Sequence, residues 1–187
     1  MSNTNRRHAL PRSMGLSCLM ALTASLTHAQ QPAPAQPTAP AAGAQASAAP
    51  GTTLTPAGRA DATPKGQLKN PYSDSDAALV TSGQQLYFKS GCNGCHGGSG
   101  GGGMCPPLTN DIWVYGGDDD TLFRLVAYGS DTLQSKGYSR QGQENVVGPM
   151  PPMDLVVQTD DNLWRILAFI RSNYHGAPEC KFGCKGD

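Results

Sequence analysis

The densest group of reactive side chains in this 187-residue chain lies in five consecutive residues, Cys92-Asn93-Gly94-Cys95-His96. Two thiols with two residues between them lie about one helical turn apart and can reach two reactive groups of one bound molecule. A histidine directly after the second thiol is carried beneath the same molecule, where its imidazole can ligate a metal. The spacing is typical of covalent haem attachment through Cys92 and Cys95, with His96 as an axial ligand of the iron.

Three other interpretations of this motif stay open at the level of sequence. A thioredoxin-like dithiol requires a preceding strand, and the sequence before Cys92 does not indicate one. A zinc site could combine Cys92, Cys95, His96 and Cys105, although adjacent Cys95 and His96 converge poorly on one tetrahedral ion. A plain disulfide between Cys92 and Cys95 is compatible with the spacing alone. The export signal and the downstream Met-Pro pair favour haem.

An iron held by His96 needs a sixth ligand, and few residues can supply one. Met150 lies in Pro149-Met150-Pro151-Pro152, where the prolines stiffen a loop that presents a thioether ahead of the last helix. Met153 is the alternative ligand. We expect Met104 to be a packing residue and His175 to face solvent. The expected axial pair is His96 and Met150, which gives a higher reduction potential than two histidines.

Helices are the elements that position these residues, because no alternating strand pattern of useful length is present. We expect one helix from Asp76, capped by Ser75 and ended by Gly91, and a second over Thr121–Tyr128, ended by Gly129. Thr159 caps the last helix, whose apolar stripe is Leu163, Ile166, Leu167, Ile170 and Tyr174. The sequence predicts an all-α domain over residues 71–177, with three to four helices and long loops around one haem. Residues 178–187 form a cysteine-containing tail.

The N-terminal residues predict export. Three arginines precede the apolar run Met14–Leu26, and small residues follow it up to Ala29. This pattern is typical of a Sec signal peptide over residues 1–29, and the run is too short to span a membrane. Twin-arginine export and a lipoprotein anchor at Cys18 fit less well. Residues 30–70 are rich in Ala and Pro and predict a disordered linker.

Charge and the remaining cysteines add two expectations. Residues 71–187 carry 13 acidic and 8 basic residues, a net charge of −5, which argues against nucleic acid as a partner. Outside the motif and the signal peptide, Cys105, Cys180 and Cys184 remain, and this odd number leaves one thiol unpaired. Cys180 can pair with Cys184, or Cys105 can pair with either of them, and the sequence does not choose.

Together these residues resemble class I c-type cytochromes over most of residues 75–175. The shared features are Gly83-x-x-Leu86-Tyr87, Cys92-x-x-Cys95-His96-Gly97, Pro106-x-Leu108, Met150-Pro151 and a last helix with Trp164 and Tyr174. The resemblance implies that Gly83 meets Trp164 or Ala168 of the last helix. It also implies that the Pro106 carbonyl accepts the Nδ1–H of His96, which fixes the ring. Cys105 departs from the family, which usually has Gly before this proline.

A narrower resemblance concerns the cytochrome c-L type acceptors of periplasmic quinoprotein alcohol dehydrogenases. It lies in Gly100–Leu108 followed by Asn110-Asp111-x-Trp113-x-Tyr115-Gly116. It implies a periplasmic electron carrier, not an enzyme, that passes electrons to a downstream cytochrome or oxidase, with Trp113 and Tyr115 in the haem surroundings. The alternatives are a donor to a terminal oxidase or another respiratory enzyme without a dedicated dehydrogenase, and a haem enzyme or sensor with an open sixth site.

Overall fold

The computed structural model describes residues 53–184, and within this range every regular element is helical. The α-helices are α1 Pro56–Ala62, α2 Ala77–Lys89, α3 Cys92–His96, α4 Asp119–Ser135, α5 Asp154–Val157 and α6 Asp160–Ser172, and a 3-10 turn follows at Pro178–Cys180. The prediction of an all-α domain is confirmed. The predicted signal peptide and the first part of the predicted linker lie outside the described residues.

Helices α2 and α6 cross at Gly83, and this crossing sets the centre of the fold. A Cβ atom at Gly83 would lie 2.0 Å from the carbonyl oxygen of Arg165 and 3.0 Å from the Cβ of Phe169, so only glycine allows the approach. The residues that meet Gly83 are therefore Arg165 and Phe169 rather than the expected Trp164 or Ala168. Trp164 instead packs on Phe123 of α4, with ring centroids 4.2 Å apart.

Side-chain caps fix where the two long amphipathic helices begin. Asp76, not the expected Ser75, caps α2 by accepting hydrogen bonds from the N–H groups of Ala78 and Leu79. Thr159 caps α6 as predicted, because its hydroxyl accepts the N–H of Asn162. Helix α6 ends at Ser172, so Tyr174 lies beyond it.

Residues 53–70, which we call the N-terminal strap, correct the prediction of a disordered linker that reaches residue 70. The strap contains α1, and Ala60 and Leu68 are only 1% and 4% exposed. Arg124 of α4 donates to the carbonyls of Ala60 and Thr63, both at 2.6 Å. The local Ala/Pro composition predicted disorder because the buried arginine that binds this backbone lies about 60 residues later in the chain.

Helix α4 consists of two helical segments that meet at Gly129. Gly129 ends the first segment, as predicted, and a second segment that was not predicted continues to Ser135. Gly129 itself has φ 74° and ψ 167°, so the helix is kinked at this residue. A glycine can interrupt a helix without ending it when other groups bind the backbone atoms that the kink releases.

The C-terminal tail is closed by a disulfide between Cys180 and Cys184, and Cys105 is a free cysteine. The tail docks on the domain because the indole N–H of Trp113 donates to the carbonyl of Cys180 at 3.0 Å. Arg171, buried in α6, donates to the carbonyl of Lys181. Within residues 53–184, no helix has the length and apolar character needed to cross a membrane.

Candidate functional site

Helix α3 carries both thiols of the motif, and a glycine-rich loop closes around its C-terminal end. The N–H of Gly102 donates to the carbonyl of His96 at 2.9 Å, and the N–H of Cys105 donates to the carbonyl of Cys95 at 3.1 Å. A Cβ atom at Gly97 would lie 2.6 Å from the carbonyl oxygen of Gly102. The loop therefore satisfies the free carbonyls of this short helix, and its glycines permit the close approach.

Tyr87 ties this loop to the crossing of α2 and α6. Its side chain is fully buried and its hydroxyl donates to the carbonyl of Gly97 at 2.8 Å. Its ring packs on Phe169 of α6, with centroids 5.2 Å apart. Burial raises the pKa of Tyr87 well above its ordinary value, so the phenol stays protonated and keeps donating.

The imidazole of His96 is oriented by one backbone carbonyl. Its Nδ1 lies 2.8 Å from the carbonyl oxygen of Pro106, the contact that the family resemblance implied. A ring that donates from Nδ1 keeps the lone pair of Nε2 for a metal. His96 thus has the tautomer and the support that an axial ligand requires, and the site fits an iron porphyrin.

The thiols themselves argue against the other interpretations of the motif. Burial raises the pKa of Cys92 to about 11, whereas a reactive dithiol needs a lowered thiol pKa. Burial raises the pKa of Cys105 as well, together with a hydrogen bond to Cys95. Among the described residues, no group of three or more His, Cys, Asp or Glu side chains is arranged to hold a metal ion.

Residues 149–153, the Met segment, lie against the kink of α4. The N–H of Met150 donates to the hydroxyl of Ser130 at 3.0 Å, and the N–H of Met153 donates to the carbonyl of Val126 at 2.9 Å. Both methionines are partly buried, and Met153 packs against the hydrophobic core. Hydrogen bonds from their backbone N–H groups to α4 therefore hold both candidates for the sixth ligand.

Trp113 and Tyr115 are both 7% exposed, and each makes a specific contact with the protein. Trp113 stacks on Tyr174 with centroids 6.0 Å apart, and its N–H is bound by the tail. The hydroxyl of Tyr115 accepts from the side-chain amide of Gln134 in α4 at 3.0 Å. Their place beside the haem stays a prediction, while their polar groups are occupied by protein partners.

A comparison with protein families decides the identity of the domain. The family model described as cytochrome c matches residues 80–173, which is half of the chain. This range contains α2, α3, α4, α5 and α6 almost entirely. The chain belongs to the cytochrome c family. As a cytochrome c, it carries covalent haem c and transfers electrons rather than catalysing a substrate reaction.

The cytochrome is also similar to parts of larger curated proteins. It is 43% identical over 58 residues to the cbb3-type cytochrome c oxidase subunit CcoP of Cereibacter sphaeroides, covering 29% of this chain and 20% of that protein. It is 42% identical over 60 residues to the subunit FixPc of Rhizobium leguminosarum bv. viciae, covering 30% and 21%. The chain thus spans about a fifth of the length of these relatives.

The solved structures that are similar to this cytochrome include the cytochrome cL of Methylophaga aminisulfidivorans MPT. The TM-score is 0.43 and the sequence identity 24%, over 58% of this chain and 61% of the other.

Two features near the site were missed by sequence reasoning. Gly129 and Ser130 bind the Met segment, but a Gly-Ser pair inside a helical pattern predicted only a helix end. The strap was missed because its partners, Asp120 and Arg124, lie 52 to 64 residues later in the chain. The spacing of Asp120 and Arg124 at i, i+4 on the apolar side of α4 was the one signal that could have indicated a further segment packed on this helix.

Proposed function

We propose that this cytochrome is a periplasmic one-electron carrier with one haem bound to Cys92 and Cys95 and with His96 and Met150 as axial ligands. One observation carries the proposal. His96 lies on the helix that bears both thiols, and its Nδ1 is 2.8 Å from the carbonyl oxygen of Pro106. When bound, haem c supplies a one-electron Fe(III)/Fe(II) couple.

Each residue then has a distinct task. Cys92 and Cys95 hold the macrocycle by thioether bonds, so that the haem stays bound through repeated redox cycles. His96 is kept in one orientation by the carbonyl of Pro106, so that its Nε2 would be available to the iron. Met150 would supply the second iron ligand from the chain, and its thioether would stabilise the reduced iron more than a second imidazole would. An iron held by both residues would have no position for a substrate.

A carbon monoxide test separates an electron carrier from a haem enzyme or sensor. The purified, matured protein is expected to show the reduced α-band of c-type haem and to bind carbon monoxide weakly at neutral pH, because Met150 occupies the sixth position. Rapid and complete binding to the reduced wild-type protein would favour an open site and contradict the proposed ligation. The Met150→Ala variant serves as a positive control for an accessible iron.

The proposed location rests on residues 1–29, whose charges and apolar run are typical of an exported protein. Cleavage after Ala29 leaves a mature protein of 158 residues that begins at Gln30. Mass determination of the intact protein from the periplasmic fraction of a host with haem-attachment machinery tests both the cleavage and the compartment. A haem-loaded protein that retains Met1 would contradict them.

For the electron donor, we propose a quinoprotein alcohol dehydrogenase. The support is the segment Gly100–Leu108 and the residues around Trp113 that resemble cytochrome c-L. A second candidate function is electron donation within a respiratory oxidase chain, which is supported by the 43% identity to part of a cbb3-type oxidase subunit. In either case the partner recognises a cytochrome domain in which acidic residues outnumber basic ones.

Stopped-flow kinetics separate these two partners. We expect purified quinoprotein alcohol dehydrogenase, supplied with its alcohol, to reduce this cytochrome at a rate that falls as salt is added, because docking on an acidic protein is electrostatically steered. A purified cbb3-type oxidase that oxidises the reduced cytochrome rapidly, with no reduction by the dehydrogenase, would favour the second candidate.

A further inference from the structure

Helix α4 is broken at one point, and another part of the chain binds the released groups. In a regular α-helix the N–H of Ser130 would donate to the carbonyl of Val126. Gly129 leaves the helical conformation, and Ser130 N–H donates to the carbonyl of Met150 at 2.9 Å. The carbonyl of Val126 accepts from the N–H of Met153 at 2.9 Å. The Met segment therefore binds both the N–H of Ser130 and the carbonyl of Val126, which would bind each other in a regular helix.

Ser130 makes a second hydrogen bond to the same methionine. Its hydroxyl accepts from the N–H of Met150 at 3.0 Å, and Ser130 is 5% exposed. Both backbone polar groups of Met150 are thus bound by one buried residue. Because buried backbone groups are almost always paired, this arrangement fixes which residue of the segment lies opposite the kink.

Gly129 brings the Met segment into direct contact with the helix backbone. A Cβ atom at this position would lie 2.7 Å from the carbonyl oxygen of Met150 and 2.7 Å from the nitrogen of Pro152. No side chain fits between the two backbones. The positive φ of Gly129 and this close approach both require glycine, and together they allow Ser130 to reach Met150.

We propose that Ser130 is a positioning residue for the sixth ligand. It holds the backbone of Met150 so that the thioether is presented to the iron that His96 binds. The proposal rests on the His/Met ligation given above as the proposed function. Without the hydroxyl, the N–H of Met150 loses its buried partner, and the Met segment is expected to leave the iron more readily.

Imidazole binding to the ferric protein measures this opening, because imidazole competes with the thioether for the iron. Loss of one buried hydrogen bond is expected to lower the imidazole dissociation constant of Ser130→Ala about tenfold. Ser130→Thr retains a hydroxyl and is expected to bind imidazole like the wild type. The matched control is Ser135→Ala on the same helix, whose exposed hydroxyl donates to the carbonyl of Thr132 at 2.8 Å.

A further variant separates positioning from general stability. Asp76→Ala removes the cap of α2, which binds the N–H groups of Ala78 and Leu79, and so weakens the fold without touching the Met segment. The proposal is overturned if Ser130→Ala binds imidazole like the wild type, or if Asp76→Ala tightens binding to the same extent. Failure of the proposed ligation is a different result, because the iron–thioether absorption band would then be absent from the wild-type ferric protein or would persist in Met150→Ala.

Discussion

Arg124 donates from Nε to the carboxylate of Asp120 at 2.9 Å, one turn earlier in α4, and both side chains are buried. The same guanidinium donates to strap carbonyls at Ala60 and Thr63, and the same carboxylate accepts the N–H of Leu68. One ion pair therefore binds the strap through its backbone. The strap is part of the domain, and side-chain contacts such as the ion pair between Arg59 and Asp160, 2.6 Å apart, add to this backbone attachment.

The first prediction concerns the strap. A mature chain that begins at residue 71 leaves the polar atoms of Asp120 and Arg124 without their strap partners and exposes the surface that Leu68 covers. We expect its free energy of unfolding to be lower by about 3 kcal/mol or more than that of a chain beginning at residue 53. Chemical denaturation of the two haem-loaded forms measures the difference. Equal midpoints would show that the strap contributes nothing.

The second prediction is a pH dependence that comes from Asp120. Burial raises the pKa of this carboxyl, but hydrogen bonds from Arg124, from the backbone of Gly66 and Leu68 and from Tyr138 outweigh burial, and the pKa lies below its ordinary value. A folded-state pKa below the unfolded value of about 3.9 stabilises the fold at higher pH. This contribution is lost as the pH falls from about 5 through the folded-state pKa.

Asp120→Asn tests this pH dependence. The variant is expected to be less stable than the wild type at neutral pH and to lose less further stability below about pH 5, because it lacks the titrating carboxylate. Urea unfolding at a series of pH values gives the free energy of unfolding at neutral pH and its change below about pH 5. Asp131→Asn, at an exposed position of the same helix, is the matched control. If the free energy of unfolding of Asp120→Asn fell below pH 5 as steeply as that of the wild type, the pH dependence would not come from Asp120.

The third prediction concerns the crossing of α2 and α6. Gly83→Ala places a methyl group 2.0 Å from the carbonyl oxygen of Arg165, so the helices must separate. We expect a loss of about 3 kcal/mol in the free energy of unfolding, at the upper end of the usual cost of overpacking. Gly148→Ala, where an added Cβ meets nothing within 4 Å, should change stability little. Similar midpoints for the two variants would refute the close crossing.

The fourth prediction is a count of thiols. In the mature haem-loaded protein, alkylation under denaturing conditions without reductant should label Cys105 alone, because Cys180 and Cys184 form a disulfide. After reduction, all three cysteines should be labelled. Peptide mapping by mass spectrometry locates the label. A label on Cys180 or Cys184 before reduction would indicate that Cys105 pairs with the tail instead.

Local signals in the sequence were enough to predict part of this fold. The cap at Thr159 and the apolar stripe that follows it define α6, and the spacing of Cys92, Cys95 and His96 defines the site. Each of these signals lies within a few turns of one helix. The contact between His96 and Pro106 was also anticipated, but only through the resemblance to a family.

Other parts depended on contacts between residues distant in sequence. The strap is ordered by Arg124, which binds carbonyls 60 to 64 residues earlier. The continuation of α4 past Gly129 depends on the Met segment, which follows Ser130 by 20 residues and binds the backbone at the kink. Neither the composition of the strap nor the sequence after Gly129 indicates a partner, so the order of the strap and the second helical segment of α4 were both missed for the same physical reason.

The identity of the sixth ligand tests the account most directly. Ferric haem shows a weak absorption band at the long-wavelength end of its visible spectrum when a methionine thioether is bound to the iron. The measurement compares this band in the wild type, Met150→Ala and Met153→Ala after covalent haem has been verified in each. We expect the band in the wild type and in Met153→Ala, and its loss in Met150→Ala. A band that persists in Met150→Ala and disappears in Met153→Ala would contradict the account.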